Sequence, residues 1–245
     1  MTFCVGMKLK EGIIGLADNL IITGNEAIRA KKVTSHRAGD NSFFLMTSGL
    51  RSARDKAITY LDEALEHPEE PLDRLYKAVN LFSKQLRRVK EEDGEALSDS
   101  GFPFNMYSII GGQFENDSEP QLFLVYPQAN WINVGITSPY VIIGESKYGK
   151  PIIKRTLTYD TNLDTALRIA YLAFDSSRIN AIDVDFPIDI IVYRTNSFCL
   201  EQYSFTENEL ADISEWWQER LRKSAEEMPA EWVKKVLNGS PKSAP

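Results

Sequence analysis

The stretch Thr2-Phe-Cys-Val-Gly-Met-Lys-Leu9 opens the chain with alternating side chains. Its apolar residues recur at every second position, which indicates a β-strand with one buried face: Phe3, Val5, Met7 and Leu9. The turn Lys10-Glu-Gly12 leads into a second strand, predicted at residues 13–18. The chain is therefore predicted to begin with a β-hairpin that starts almost at its first residue.

Blocks of strands and helices follow this hairpin. Apolar stripes at helical spacing predict two helices within residues 53–86, with Pro71 starting the second, and then a solvated loop at residues 91–101. A further helix is predicted at residues 163–174. After a polar loop, the remaining strands are predicted at residues 31–36, 43–48, 105–115, 121–127, 140–144, 188–194 and 198–205. This order favours an α+β fold in which two antiparallel sheets lie face to face, with helices outside.

A helical extension is predicted after the last strand. Thr206 and Glu209 have the spacing of a capping box, so a long helix should begin there, followed by a shorter helix at residues 230–237. We therefore predict a domain at residues 1–205 and an extension at 206–245, the tail from residue 238 being disordered. Only one of the neighbours Trp216 and Trp217 fits a single apolar stripe, which predicts a subunit interface. The alternative is that the terminal segment folds back and buries both, together with Trp232, within its own subunit.

Composition excludes several classes of function. The net charge of −7 and pI near 5.1 argue against a nucleic-acid or anionic-membrane surface. Two distant cysteines make neither a disulfide framework nor a metal knuckle, so no metal or other cofactor is predicted. No apolar run approaches the roughly 20 residues of a membrane span, and no secretory signal is present. We expect a cytoplasmic protein that binds neither nucleic acid nor membrane.

Thr2 is the first residue that could carry chemistry. An initiator Met is removed when the next side chain is small, and the chain would then begin with a hydroxyl and a free amine on one residue. An α-amine has a pKa near 7.7–8.0, so it can act as a general base at neutral pH. Thr2 could thus supply nucleophile and base together.

Several short motifs resemble a known family. The hairpin end Gly15-Leu-Ala-Asp18, the loop Thr23-Gly-Asn25, the strand Lys31-Lys-Val33 and the turn Thr47-Ser-Gly49 resemble the opening of proteasome β subunits and of HslV. Gly144-Glu-Ser-Lys-Tyr-Gly-Lys-Pro151, with the first six residues of the chain, resembles the bacterial Anbu group. The resemblance implies a four-layer αββα sandwich, the N-terminal-nucleophile hydrolase fold.

The resemblance also implies roles for residues near the start of the chain. Thr2 matches the nucleophile, Lys32 the lysine that lowers the hydroxyl pKa, and Asp18 the carboxylate that pairs with that lysine. Gly49 matches the glycine whose N–H stabilises the oxyanion. Lys31 competes with Lys32, because strand alternation directs only one of them into the site. Without Thr2, an ordinary surface ion pair would be the better interpretation of Asp18 and Lys32.

The later part of the site matches less well. In the first turn, either Ser146 or Glu145 could face Thr2, where the family has a serine. Further on, Asp175 matches the family's aspartate, but Arg178 stands where a serine is expected, with Ser177 beside it.

The implied activity is peptide hydrolysis by a threonine peptidase within a homo-oligomeric ring or open spiral. A peptide or unfolded-protein substrate would bind as an added strand between residues 20–23, through Ile21 and Ile22, and the turn that begins at Thr47. The resemblance leaves any unfoldase partner unspecified. Two alternatives stay open: an amidase or acylase of the same fold acting on a small substrate, and a weakly active proteasome-like scaffold.

Overall fold

The computed structural model describes residues 2–23 and 26–238. Predictions about Met1, the Gly24-Asn25 loop and the tail beyond residue 238 lie outside the described residues. The chain divides into two compact units, residues 1–207 and 208–245. The predicted division into a domain at residues 1–205 and a helical extension with a tail at 206–245 stays a prediction.

The strands of the described residues are β1 (Phe3–Leu9), β2 (Gly12–Asp18), β3 (Leu20–Thr23), β4 (Glu26–Arg29), β5 (Val33–Ala38), β6 (Asn41–Ser48), β7 (Tyr107–Gly112), β8 (Gln121–Val125), β9 (Trp131–Asn133), β10 (Tyr140–Gly144), β11 (Ile188–Arg194) and β12 (Leu200–Phe205). The helices are α1 (Arg51–Glu66), α2 (Leu75–Asp99), α3 (Lys150–Thr156), α4 (Leu163–Asn180), α5 (Glu207–Glu226) and α6 (Glu231–Asn238).

Two five-stranded antiparallel sheets form the centre of the first unit. One has the order β10-β1-β2-β11-β12 and the other β5-β6-β7-β8-β9, while β3 and β4 form a separate hairpin. The opening hairpin is central in its sheet, since β1 pairs with both β2 and β10. The first segment of the sequence is thus held by hydrogen bonds on both sides.

The core consists of apolar layers that the strand alternation builds. Between the two sheets lie Cys4, Ile13, Phe44, Met46 and Ile109, all fully buried. On its outer face the second sheet packs against α1 and α2, while α4 covers β1 and β2. Phe3 illustrates the latter contact, its ring centroid lying 6.2 Å from that of Phe174 in α4. The predicted four-layer αββα sandwich is confirmed.

Several predicted boundaries were wrong. Pro71 does not start the second long helix, which begins at Leu75, where Asp117 accepts the otherwise unpaired backbone N–H at 2.9 Å. Residues 91–99 are not a loop but the end of α2, because Lys56 of α1 forms ion pairs with Glu92 and Asp93 and holds the polar turns helical. The predicted polar loop after β2 contains the strands β3 and β4. The helix α3 was not predicted, because seven residues are too few to show a helical apolar pattern.

The second unit contains most of α5 and all of α6. Trp216 on α5 is 56% exposed, whereas Trp217 is half-buried, consistent with the idea that both cannot share one stripe. Trp232 on α6 is 60% exposed. In the described residues, no helix combines the length and apolar character that crossing a membrane requires.

Candidate active site

Strand pairing brings Thr2 and Asp18 together. Cys4 pairs with Ala17 across the β1–β2 ladder, so the residue before β1 meets the last residue of β2. Lys32 immediately precedes β5 in the opposite sheet, and its side chain reaches the same end of the sandwich. Residues 2, 18 and 32 are therefore gathered by topology.

Asp18 is the centre of this cluster. Its Oδ1 accepts hydrogen bonds from Thr2 Oγ1 at 2.9 Å, the Phe3 backbone N–H at 2.8 Å and Lys32 Nζ at 2.7 Å. Its Oδ2 accepts the Leu20 N–H at 3.2 Å. One carboxylate oxygen thus fixes both the hydroxyl of Thr2 and the ammonium group of Lys32.

The Asp18–Lys32 pair is buried. Asp18 has a side-chain exposure of 0% and Lys32 of 4%, so the pair is not the ordinary surface ion pair of the alternative interpretation. Burial raises the pKa of Asp18, and the Lys32 ammonium with the hydrogen bonds to Asp18 opposes that shift. Lys32 Nζ also donates to the Leu20 carbonyl at 2.5 Å, which fixes its orientation.

Lys31 has a different environment. It is exposed, and its backbone carbonyl accepts a hydrogen bond from Arg54 Nη1 at 3.2 Å. Of the two adjacent lysines, the structure brings only Lys32 to Thr2 and Asp18. This is the side-chain alternation expected for neighbours at the start of a strand.

A turn after β10 holds the backbone of Thr2. The Glu145 N–H donates to the Thr2 carbonyl at 2.6 Å. Gly144 has φ +82°, and a Cβ there would lie only 1.9 Å from that carbonyl oxygen, so a glycine is required. Thr2 is consequently held at its hydroxyl by Asp18 and at its carbonyl by this turn.

Thr2 lines a groove with a volume of about 650 Å³. One wall comes from Ile21 and Ile22 of β3, and another from Thr47 to Leu50. Gly49 has φ +131°, and a Cβ would lie 2.0 Å from the Asn105 carbonyl oxygen. The groove therefore contains Gly49, the glycine predicted to stabilise the oxyanion, in a conformation that favours glycine, beside the predicted substrate-binding residues Ile21, Ile22 and Thr47.

The later residues of the predicted site are less closely joined to Thr2. Ser146 is half-buried, and the buried Glu145 accepts the Lys147 N–H through Oε1 at 2.8 Å. Ser177 donates its hydroxyl to the Ala173 carbonyl at 2.9 Å. In residues 2–23 and 26–238, no hydrogen bond joins the side chains of Ser146 or Ser177 to Thr2.

Asp175 and Arg178 form an ion pair on α4. Asp175 is fully buried, and its Oδ1 accepts from Arg178 Nη2 at 3.3 Å. Arg178 also donates to Glu207 at 3.4 Å. The arginine at the position of the expected serine is therefore engaged with two carboxylates.

Sequence reasoning missed the backbone groups of the site and the two arginines of the groove, although it predicted Lys32. The N–H groups of Phe3 and Leu20 carry no side-chain signal, and only the pairing of strands reveals their direction. Arg51 and Arg54 line the groove from the start of α1. Cys4 is packed beside the cluster, and burial raises the pKa of its thiol, which makes it a poor nucleophile.

The two facing sheets, with a threonine at the start of a central strand and a buried lysine–carboxylate pair beside it, define the N-terminal-nucleophile hydrolase class of fold. The proteasome subunit family model matches residues 2–183, about three quarters of the chain, and the protein belongs to that family. No curated protein matches the chain in sequence.

Solved structures of Anbu proteins are closely similar. Anbu (ancestral beta-subunit) from Yersinia bercovieri has a TM-score of 0.85 and 29% identity, over 93% of this chain and 97% of that one. The helical assembly of the Anbu complex from Pseudomonas aeruginosa gives 0.86 and 28%, over 98% of both chains. An Anbu (Gly-1) mutant from Hyphomicrobium sp. strain MC1 gives 0.85 and 26%, over 93% and 99%. The resemblance to the Anbu group is confirmed.

Proposed function

We propose that the chain is a threonine peptidase of the proteasome type, with Thr2 as its nucleophile after removal of Met1. The observation that supports this most strongly is the single oxygen, Asp18 Oδ1, which accepts from both Thr2 Oγ1 and Lys32 Nζ. A buried cation beside a fixed hydroxyl favours the alkoxide that develops when the hydroxyl attacks a carbonyl.

The proposed reaction has two halves. Thr2 Oγ1 attacks the peptide carbonyl carbon while the α-amine of Thr2 takes the hydroxyl proton, and the Gly49 N–H stabilises the resulting oxyanion. The protonated amine then gives its proton to the leaving amine, and the C–N bond breaks to leave an ester on Thr2. In the second half, water attacks the ester with the amine again as base, which releases the acid and restores Thr2.

The turn after β10 gives the amine its surroundings. Because the Glu145 N–H holds the Thr2 carbonyl, we infer that the amine of a processed chain would lie near this turn. Ser146 is our candidate for the residue that positions the amine, and the fully buried Asp175 on α4 is a further candidate member of the site.

Processing supplies the direct test of this function. Protein with Met1 retained carries an amide in place of the amine and should not react with a peptide epoxyketone, which requires an N-terminal threonine. Processed protein should be labelled at Thr2 in an intact-mass measurement, and a processed Thr2→Ala variant should not. Equal labelling of the processed and unprocessed forms would refute the proposed mechanism.

A weakly active scaffold is the second candidate. Two observations favour it. The Ser177 hydroxyl is hydrogen-bonded to the Ala173 carbonyl, and Arg178 occupies the position where the family has a serine. Processed protein that is assembled yet unlabelled by the probe would establish the scaffold over the peptidase. Small amides but no peptides as substrates would point instead to an acylase.

Assembly into a homo-oligomeric ring or spiral of cytoplasmic subunits is part of the proposal. The similar Pseudomonas aeruginosa structure is described as a helical assembly, and Trp216 is 56% exposed on α5. We expect a large species in light scattering, shifted to smaller species by Trp216→Ala. Phe102→Ala is the matched control, because Phe102 has the same 56% exposure but lies in the first unit. A monodisperse monomer at micromolar concentration would refute the assembly.

A further inference from the structure

The charges that line the groove are all positive. Arg51 and Arg54 line it together with Lys32, and no carboxylate side chain of the described residues does so. Lys32 is already paired with Asp18, so the two arginines are the cations available to a ligand. The other lining residues are neutral, among them Ile22 and Phe102. The groove beside the proposed nucleophile is therefore positively charged, although the protein as a whole has a net charge of −7.

We propose that this groove selects peptides that carry a carboxylate on the acyl side of the bond to be cleaved. The selection rests on the proposed function, because the acyl side is defined by Thr2 as nucleophile. Arg51 and Arg54 are the specificity-determining residues, and the isoleucines of β3 provide apolar contacts along the same peptide. Peptides with lysine or arginine at the corresponding position are disfavoured by repulsion.

Asp55 offsets only part of this positive charge. Its Oδ1 accepts from Arg54 Nε at 2.8 Å and Nη2 at 2.6 Å, while its Oδ2 lies 3.4 Å from Arg51 Nε. One carboxylate therefore faces two guanidinium groups, and one positive charge remains. The Asp55 side chain is also 52% exposed, so solvent screens its effect.

The two arginines differ in exposure and in the number of their contacts. The Arg54 side chain is 13% exposed and is fixed by Asp55 and by the Lys31 carbonyl. The Arg51 side chain is 51% exposed, and among the described residues its ion pair is the long contact to Asp55. Arg54 accordingly forms a fixed positive wall, and Arg51 can reorient to form a paired hydrogen bond with a ligand carboxylate.

The start of α1 adds to the same potential. Its N-cap residue, Leu50, provides no side-chain hydrogen bond, and its first turn contains no acidic residue. No acidic side chain of the first turn offsets the partial positive charge of this helix end, near the groove wall formed by Gly49 and Leu50. It acts in the same direction as the two arginines.

The carboxylate that we propose on the acyl side is that of an Asp or Glu side chain. The competing source is the C-terminal carboxylate of a short peptide, which belongs to the leaving-amine side of any bond to be cleaved and would mean a different mode of binding. A binding experiment separates these sources without requiring hydrolysis. Fluorescent hexapeptides that differ only as Glu against Gln, and as C-terminal acid against C-terminal amide, are titrated onto the processed Thr2→Ala protein. We expect the Glu peptide to bind about 10-fold more tightly than the Gln peptide, since a hydrogen bond to a charged group contributes about that factor.

Variants on α1 connect this preference to its residues. Arg51→Gln should reduce the Glu-over-Gln ratio to about 3-fold or less, and Asp55→Asn should increase it, an effect that misfolding cannot imitate. Arg168→Gln is the matched control, because Arg168 is an exposed arginine that pairs with an aspartate four residues away on α4. Its ratio should equal that of the parent protein.

The outcomes separate this proposal from the proposed function. Equal binding of Glu, Gln, acid and amide peptides would overturn the selectivity, even if processed protein hydrolyses all of them. A preference for the acid over the amide, with no difference between Glu and Gln, would assign the groove to chain ends. A clear Glu preference in protein that never hydrolyses a peptide would uphold the selectivity while refuting the peptidase.

Discussion

The start of the chain and the region from residue 144 to 178 satisfy their buried polar groups by different means. Around Asp18, hydrogen bonds converge from Thr2, Phe3 and Lys32 on one oxygen. In the later region, polar side chains satisfy one another or their own backbone, as Ser177 does on Ala173. The first region therefore depends on each of its members, whereas single members of the second can be removed with smaller effects.

Replacement of Lys32 should give the largest effect. Lys32→Ala leaves Asp18 buried without its counter-charge, which costs about 3–5 kcal/mol of the free energy of unfolding, and the processed protein should lose peptidase activity. Chemical denaturation measures the first effect and substrate turnover the second. Lys31→Ala, the exposed neighbour, should change stability by less than about 0.5 kcal/mol.

The pH dependence of this variant has a defined sign. Without Lys32, the pKa of the buried Asp18 is raised further above its unfolded value of 3.8, so the folded state binds a proton more tightly than the unfolded state. The free energy of unfolding of this variant therefore decreases as pH rises from 3.8 toward the raised pKa of Asp18, and increases again as pH falls. A Lys32→Ala penalty that grows on acidification would contradict the buried-pair interpretation.

Gly144 tests whether the turn of the later region matters through its backbone. In Gly144→Ala, the new Cβ would collide with the Thr2 carbonyl oxygen, so we expect a loss of about 1–3 kcal/mol and a large loss of activity. Gly39→Ala is the matched control: Gly39 has φ +61° but open space around it, and only the backbone strain of about 1 kcal/mol should remain. Equal activity losses in the two variants would count against the view that the turn after β10 holds the Thr2 carbonyl in position.

A smaller effect is expected at Ser146. Ser146→Ala should lower kcat by about 10-fold and shift the acidic limb of the pH profile, because we propose that its hydroxyl positions the amine base. Ser177→Ala should leave the profile unchanged, since that hydroxyl is bonded to Ala173. A shifted profile for Ser177→Ala but not for Ser146→Ala would reverse the assignment.

The smallest effect concerns His36, which lies outside both regions. Its ring bonds Asp62 through Nδ1 at 2.8 Å, and burial lowers its pKa from 6.5 although Asp62 opposes this. The unfolded state therefore binds a proton first, and stability falls as pH decreases below 6.5 toward the lowered folded value. His36→Gln should reduce this slope in pH-dependent denaturation, while the exposed His67→Gln should not.

The sequence predicted what depends on periodicity and chemistry. Alternation in the opening strand located the central hairpin, and the resemblance brought Thr2, Asp18 and Lys32 forward before their contact was known. Contacts between residues far apart in the chain could not be predicted from the sequence. Asp117 bonds the first residue of α2 from 42 residues away, and Lys56 of α1 stabilises the acidic end of α2. The groove cations were missed for the same reason, because Arg51 and Arg54 appear in sequence as ordinary residues of an amphipathic helix.

The central position of β1 imposes an order of events on the newly made chain. Thr2 is 4% exposed and precedes a strand flanked by β10 and β2, with β11 next in the sheet. An aminopeptidase acts on a free, extended chain end, so we expect the proposed removal of Met1 to be fastest before this sheet closes. Ribosomes need roughly 10–40 s to reach the residues of β11, at about 5–20 residues per second. Under the proposed function, the rate of translation relative to the rate of trimming would then set the fraction of chains in which Thr2 carries a free amine.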